Sequence, residues 1–189
     1  MAFQFKITLN HTADPKVWRT LLVPDDISLH IFHLCIQAAF GWENCHLYQF
    51  CPKSWGSQPS YTVIDEFTDD MDAEDSDEVA VSEIFKAPKQ KFTYIYDFGD
   101  SWMHTIVLEK ILDDEVLFPM CTGGEGACPP EDCGGIGGYY RMVEILSNPK
   151  HAEYREMREW LGMLGSKKKW DVNAFDVKEA NDRLHAFIE

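Results

Sequence analysis

Basic side chains are what this chain lacks most: 17 Lys and Arg stand against 32 Asp and Glu, a formal net charge of −15 over 189 residues. That balance repels a phosphate backbone at long range, so direct nucleic-acid binding is not expected. The one compact basic cluster, Lys167-Lys168-Lys169, is taken as solvated. No apolar run approaches the roughly eighteen residues of a membrane-spanning helix, so no membrane partner is expected either. The opening MAFQFKITLN alternates and carries one base, unlike a secretory leader. The expected compartment is cytoplasmic, where six cysteines are read as thiols or metal ligands before disulfides. G-x-S-x-G and P-loop motifs are missing, which removes the best-marked nucleophile and phosphate-cradle chemistries. Internal repeats are absent, and no linker is long enough to force two domains. Residues 1–189 are therefore expected to form a single domain.

Aromatics are plentiful, with six Trp, seven Tyr and twelve Phe in a chain that is 45% hydrophobic. This is enough for one sizeable core. The charge is unevenly placed. Residues 65–85 hold ten acids and no base, while residues 1–64 balance four against four. The run EFTDDMDAEDSDE (66–78) lacks the glycine that an EF-hand loop needs at its sixth position. It is expected to be a mobile, solvated acidic loop over 65–78.

Alternation in FQFKITL and VWRTLLV predicts a hairpin. Ser28 caps a predicted helix to about Phe40, with Leu29, Phe32, Ile36 and Phe40 on its apolar stripe and Gly41 as its stop. HLYQF (46–50) predicts a further strand. This hairpin–helix–strand opening is β-grasp-like, within an α+β fold with a small mixed sheet. VAVSEIF (79–85) predicts a short helix. KFTYIYDFGDSWMHTIVLE (91–109) predicts a second hairpin, with Gly99 supplying the permissive turn dihedrals. From about residue 138 the tail is predicted helical: 138–148, then 151–164 with Tyr154, Met157, Trp160, Leu161 and Leu164 buried, then a helix capped by Asp176.

Between these lies CTGGEGACPPEDCGG (121–135), with three cysteines, five glycines and Pro129-Pro130 in fifteen positions. Together with YDFGDSWMHTIVLE (96–109), VWR (17–19), AAFGW (38–42), HLYQF (46–50) and WLG…FDVKEANDRL (160–184), it resembles the plasmid pRiA4b ORF-3-like family, in the right order along the chain. The resemblance implies a compact α+β domain and an association with plasmids and some transposable elements. A recombinase label that travels with that association finds no serine or tyrosine recombinase constellation here.

Three kinds of chemistry are open. Cys121, Cys128 and Cys133 are separated by six and four residues, near to the spacing of a zinc knuckle. A fourth ligand would come from Cys51, His46 or His104; otherwise these are free thiols. No other cofactor is expected. Alternatively, His104 acts as a base beside Asp97, Asp100, Glu131 and Asp132, or that group holds a divalent cation for hydrolysis of a phosphoester or similar bond. A cysteine nucleophile is disfavoured by Glu125, Glu131 and Asp132, whose charge opposes a thiolate. In the third reading the glycine-rich stretch is a stiff crossing, with Pro129, Pro130, Gly134 and Gly135 as turn residues beside Gly99. The protein is then a non-catalytic interaction or accessory module. Its partner would be another, basic, protein met through a sheet edge or the acidic loop. This third reading is the expectation carried forward.

Overall fold

The fold is described from a computed structural model, over residues 1–69 and 71–188. Strands β1 (Ala2–Leu9) and β2 (Trp18–Pro24) pair antiparallel as the opening hairpin. Helix α1 (Leu29–Phe40) follows, its first turn held by Ile31 N donating to Ser28 Oγ at 3.1 Å. Gly41 ends it at φ 100°, a left-handed conformation that a Cβ disfavours. The chain continues through β3 (Tyr48–Cys51), β4 (Tyr61–Thr62), β5 (Glu74–Asp75) and the one-turn helix α2 (Val81–Ile84). Next comes the second hairpin, β6 (Lys91–Tyr96) and β7 (Trp102–Leu112), and then β8 (Met120–Glu125). Helices α3 (Gly135–Ser147), α4 (Tyr154–Trp160) and α5 (Val177–Ile188) close the described chain.

The strands form one open sheet in the order β5-β4-β3-β6-β7-β1-β2-β8. Its pairs are antiparallel except β4–β5, so the sheet is mixed. The period-two pattern explains its buried face. Phe3, Phe5, Ile7 and Leu9 are buried on β1, and Trp102, His104, Ile106 and Leu108 on β7. Helix α1 docks on this face: the Phe32 ring packs 4.7 Å from Phe5 and 6.0 Å from Phe50. Each buried ring contributes roughly 1.5–3 kcal/mol. The result is a β-grasp-like α+β arrangement, with helices flanking the sheet. No described helix is long and apolar enough to cross a membrane.

Four local expectations are corrected. The start of the cysteine-rich stretch is an edge strand, β8, not a bare crossing. Its glycines answer to close approach: a Cβ on Gly124 would meet Arg19 Cδ, Phe175 Cζ and Trp18 O at 2.8 Å. Arg19 is itself buried, and donates to the carbonyls of Ala39, Trp18, Glu125 and Gly126, binding α1 to this glycine loop. The acidic run is not loop throughout: Glu74 and Asp75 form β5, while its described acidic side chains are exposed or half-buried. Glu74 N and Ser76 N donate to Ser60 O and Thr62 O at 2.8 Å, and Thr68 and Ser76 are buried. The helix expected over 151–164 is shorter, Tyr154–Trp160, and leaves Trp160 and Leu164 exposed. In the 97–101 turn, Asp97 (φ 54°) and Ser101 (φ 56°) take the left-handed conformation, not Gly99.

The two sheet edges are short or covered. Asn181 of α5 accepts from Cys121 N and donates to Cys121 O, both at 2.9 Å, as a neighbouring strand would. This occupies hydrogen-bonding positions on β8 that an incoming strand would use.

Candidate metal centre

The loop between α1 and β3, residues 41–47, is stitched down at almost every residue. Trp42 enters the core, and its Nε1 donates to Pro129 O at 3.0 Å. Glu43 N donates to Glu131 Oε1 at 2.9 Å. Asn44 N donates to Gln37 Oε1, and Asn44 Oδ1 accepts from His33 Nε2 at 2.7 Å. That contact fixes the His33 tautomer, so its Nδ1 accepts from the Tyr94 hydroxyl at 2.8 Å. Cys45 N donates to the Tyr96 hydroxyl at 3.1 Å, and Asp97 N to Leu47 O at 2.9 Å. His46 is thereby held between the end of β6 and the Pro129-Pro130 turn.

Three carboxylates converge on His46 Nε2: Asp132 Oδ1 at 3.1 Å, Asp97 Oδ2 at 3.8 Å and Glu131 Oε2 at 4.0 Å. The Asp97 and Glu131 side chains are 9% and 13% exposed, that of His46 28% and that of Asp132 71%. The two buried carboxylates show the same division of labour. Glu131 Oε1 is occupied by the Tyr96 hydroxyl and Glu43 N, both at 2.9 Å, while Oε2 is buried without a hydrogen-bond partner. Asp97 Oδ1 accepts from Gly99 N at 2.9 Å, leaving Oδ2 toward the histidine. His46 Nε2 is buried and, despite its charged neighbours, has no hydrogen bond of acceptable geometry. A divalent cation placed among these atoms would satisfy the orphaned Nε2 and Oε2. Asp97, Asp132 and Asn44 all have φ near +50°, a costly conformation for residues with a Cβ.

Two triples of donor atoms close within 4.8 Å among the described residues: His46, Asp97 and Asp132, and Cys45, His46 and Glu131. The expected cysteine triple is not among them. Cys121, on β8, turns its Sγ to Gly123 O at 3.5 Å. Cys128 lies near the buried Arg19 guanidinium, as does Cys121, and that positive charge opposes a second cation. Burial raises the thiols of Cys121 and Cys128 and pushes Cys133 up to about 12, but it raises Cys45 as well, so what sets the three apart is that their sulfurs do not converge. The possible metal site therefore moves from the cysteines to His46.

His104 is not part of the cluster. It is 0% exposed, packed edge-on against Phe40 and Trp42 with Tyr94 beside it, and neither ring nitrogen makes a hydrogen bond of good geometry, though the backbones of Tyr94 and Trp102 lie beside them. Desolvation lowers its pKa to about 3. Sealed in this way, it cannot reach a substrate. Asp100 is also diverted: its Oδ2 accepts from Gly134 N at 3.0 Å, in front of α3. Gly134 (φ 90°) and Gly135 (φ 64°) make that entry, where a Cβ on Gly135 would meet Asp100 O at 2.6 Å. Pro129 is buried as the acceptor for Trp42, and Pro130 leads directly into Glu131. Asp97, Glu131 and Asp132 thus lie around His46 and not His104. Cys45 and Tyr96 were missed. Their available signal was adjacency, Cys45 beside His46 just ahead of the HLYQF motif and Tyr96 beside Asp97 within the 96–109 motif.

His46 lines an open surface cleft of about 470 Å³ with His30, Cys45, Tyr48 and Phe67, while Glu131 and Asp132 line another of about 390 Å³ with Trp42, Pro130 and Trp160.

Comparison with known proteins agrees over nearly the whole chain. Residues 1–179 match the family described as "Plasmid pRiA4b ORF-3-like protein". "Uncharacterized protein y4hQ" of Sinorhizobium fredii is 36% identical over 160 residues, which cover 84% of this chain and 80% of that protein. A crystal structure titled "Protein of Unknown Function MM3350 from Methanosarcina mazei Go1" superposes with a TM-score of 0.78 at 30% identity, covering 94% of this chain and 96% of the other.

Proposed function

The chain belongs to the plasmid pRiA4b ORF-3-like family, and from its geometry we propose that it is a divalent-cation-binding accessory module centred on His46. One observation carries this reading. His46 Nε2 and Glu131 Oε2 lie buried, 4.0 Å apart and without hydrogen-bond partners, with Asp97 and Asp132 oxygens aimed at the same nitrogen. One imidazole and three carboxylates form a donor set suited to manganese, magnesium or zinc. The module is read as a single domain over residues 1–189, acting in the cytoplasm through a protein partner with a basic surface. The ten acids and no bases of residues 65–85 support that partner charge.

Isothermal titration of the metal-free protein with Mn²⁺ and Zn²⁺ tests the cation site. Saturable binding that His46→Ala and Asp97→Asn both abolish supports it. Unchanged binding in both folded variants contradicts it. A hydrolytic reading of the same centre draws on the exposure of Asp132 beside an open cleft, where a bound cation would meet solvent. Cation-dependent turnover of a phosphoester, lost in His46→Ala, is its test.

A further inference from the structure

The two donor triples that meet at His46 differ in hardness. His46, Asp97 and Asp132 offer a ring nitrogen and two carboxylate oxygens. Cys45, His46 and Glu131 offer a sulfur, a ring nitrogen and a carboxylate oxygen. Cys45 owes its place to Tyr96. The Tyr96 hydroxyl accepts from Cys45 N at 3.1 Å, lies 3.8 Å from Cys45 Sγ, and donates to Glu131 Oε1 at 2.9 Å. One hydroxyl therefore aligns a thiol and a carboxylate on the same point. The sign of a ligand there is the pair of buried, unpartnered atoms that the Cys45 triple contains, His46 Nε2 and Glu131 Oε2, with Asp97 Oδ2 facing the same nitrogen at 3.8 Å.

Zinc bound by sulfur at about 2.3 Å and by nitrogen or oxygen at about 2.0–2.2 Å needs donor atoms roughly 3–4 Å apart. The Cys45 triple, already within 4.8 Å, closes on such an ion with side-chain shifts of about an ångström. Soft thiolate favours zinc-class ions, whereas an all-oxygen shell with one imidazole favours manganese and magnesium. Resting on the cation-site reading above, we propose that Cys45 is a metal ligand and decides which ion is held. The centre is a zinc-class site built on Cys45, His46 and Glu131, with an aspartate oxygen in the fourth position. Coordination exchanges the Cys45 S–H bond for an S–metal bond, and the proton leaves to solvent. No electron is transferred.

Cobalt(II) replaces zinc as the probe, because a thiolate ligand gives it a charge-transfer band in the near ultraviolet. The full chain should bind about one equivalent of Co²⁺ with that band. Cys45→Ser should remove the band and weaken Zn²⁺ binding by at least about tenfold, while Mn²⁺ affinity stays within about threefold. Cys45→Ala should behave like Cys45→Ser and serves as the second variant; Cys45 is exposed, so neither substitution opens the core. Cobalt bound without the band, or Zn²⁺ affinity unchanged in both variants, overturns the role of Cys45 and leaves the cation site standing. Failure of the wild-type chain to bind Co²⁺, Zn²⁺ or Mn²⁺ overturns both.

Discussion

Acidification from pH 7 to pH 5 should destabilise this protein in a way that can be traced to His104. The ring is fully buried among Phe40, Trp42 and Tyr94, and its pKa falls from 6.5 to about 3. In the unfolded chain the same ring takes a proton near its ordinary value. Between those two values the unfolded state binds more protons, so stability is lost progressively as pH falls from about 6.5 toward 3. At pH 5 the loss from this one group is about 2 kcal/mol relative to pH 7. For a domain of this size that corresponds to a drop of roughly 4–8 °C in Tm. His104→Met, which nearly conserves volume, removes the titrating ring and two buried nitrogens that lack a hydrogen bond of good geometry. Its Tm at pH 7 should match or exceed that of the wild type. Its fall between pH 7 and pH 5 should be smaller by about 4–8 °C. Thermal unfolding followed by circular dichroism at the two pH values measures both. Identical pH dependence in His104→Met and wild type would refute the reasoning, because His104 would then titrate alike in both states and a role as a base near neutral pH would reopen.

Further predictions follow the polar connections. Tyr96→Phe removes the hydroxyl that aligns Cys45 and Glu131, and should weaken metal binding by about 10–100-fold in titration calorimetry while leaving the fold intact. Arg19→Ala should cost about 4 kcal/mol or more in urea unfolding, since four charge-assisted hydrogen bonds to buried or half-buried carbonyls vanish together. Asn181→Ala strips both bonds from Cys121 and should cost about 1–3 kcal/mol. It should also promote concentration-dependent association through the uncovered edge of β8, visible by size-exclusion chromatography.

Much of the sheet could be read from the amino-acid pattern, for a physical reason. In β1 and β7 a period of two separates the sealed face from the outer one, so short windows carry the information, while β6 is buried on both faces from Phe92 to Tyr96. The same logic could not find β8. Gly123 and Gly124 are poor strand formers, and they belong there because Arg19 and Phe175, far away in sequence, lie against that backbone. The short strand within the acidic run left no trace in the pattern because its order comes from backbone bonds to Ser60 and Thr62 and from buried Thr68 and Ser76, not from an apolar period. The site was partly visible. Asp97, Glu131 and Asp132 could be grouped because two well-marked turns carry them. The choice of histidine failed: alternation put His104 on a strand face, but it does not say that Trp42 and Phe40 seal that face. His46 and Cys45 sit in an irregular loop with no period at all, and only the contacts to Tyr96, Glu131 and Gln37 bring them to the carboxylates.

Whether His46 organises a cation site is measured most directly by elemental analysis of untagged protein, exposed to Zn²⁺ and then passed through a desalting column. Wild type should retain about one equivalent of zinc, and folded His46→Ala should retain almost none. A wild-type protein that emerges without metal, or a His46→Ala variant that retains as much zinc as wild type, would contradict the account.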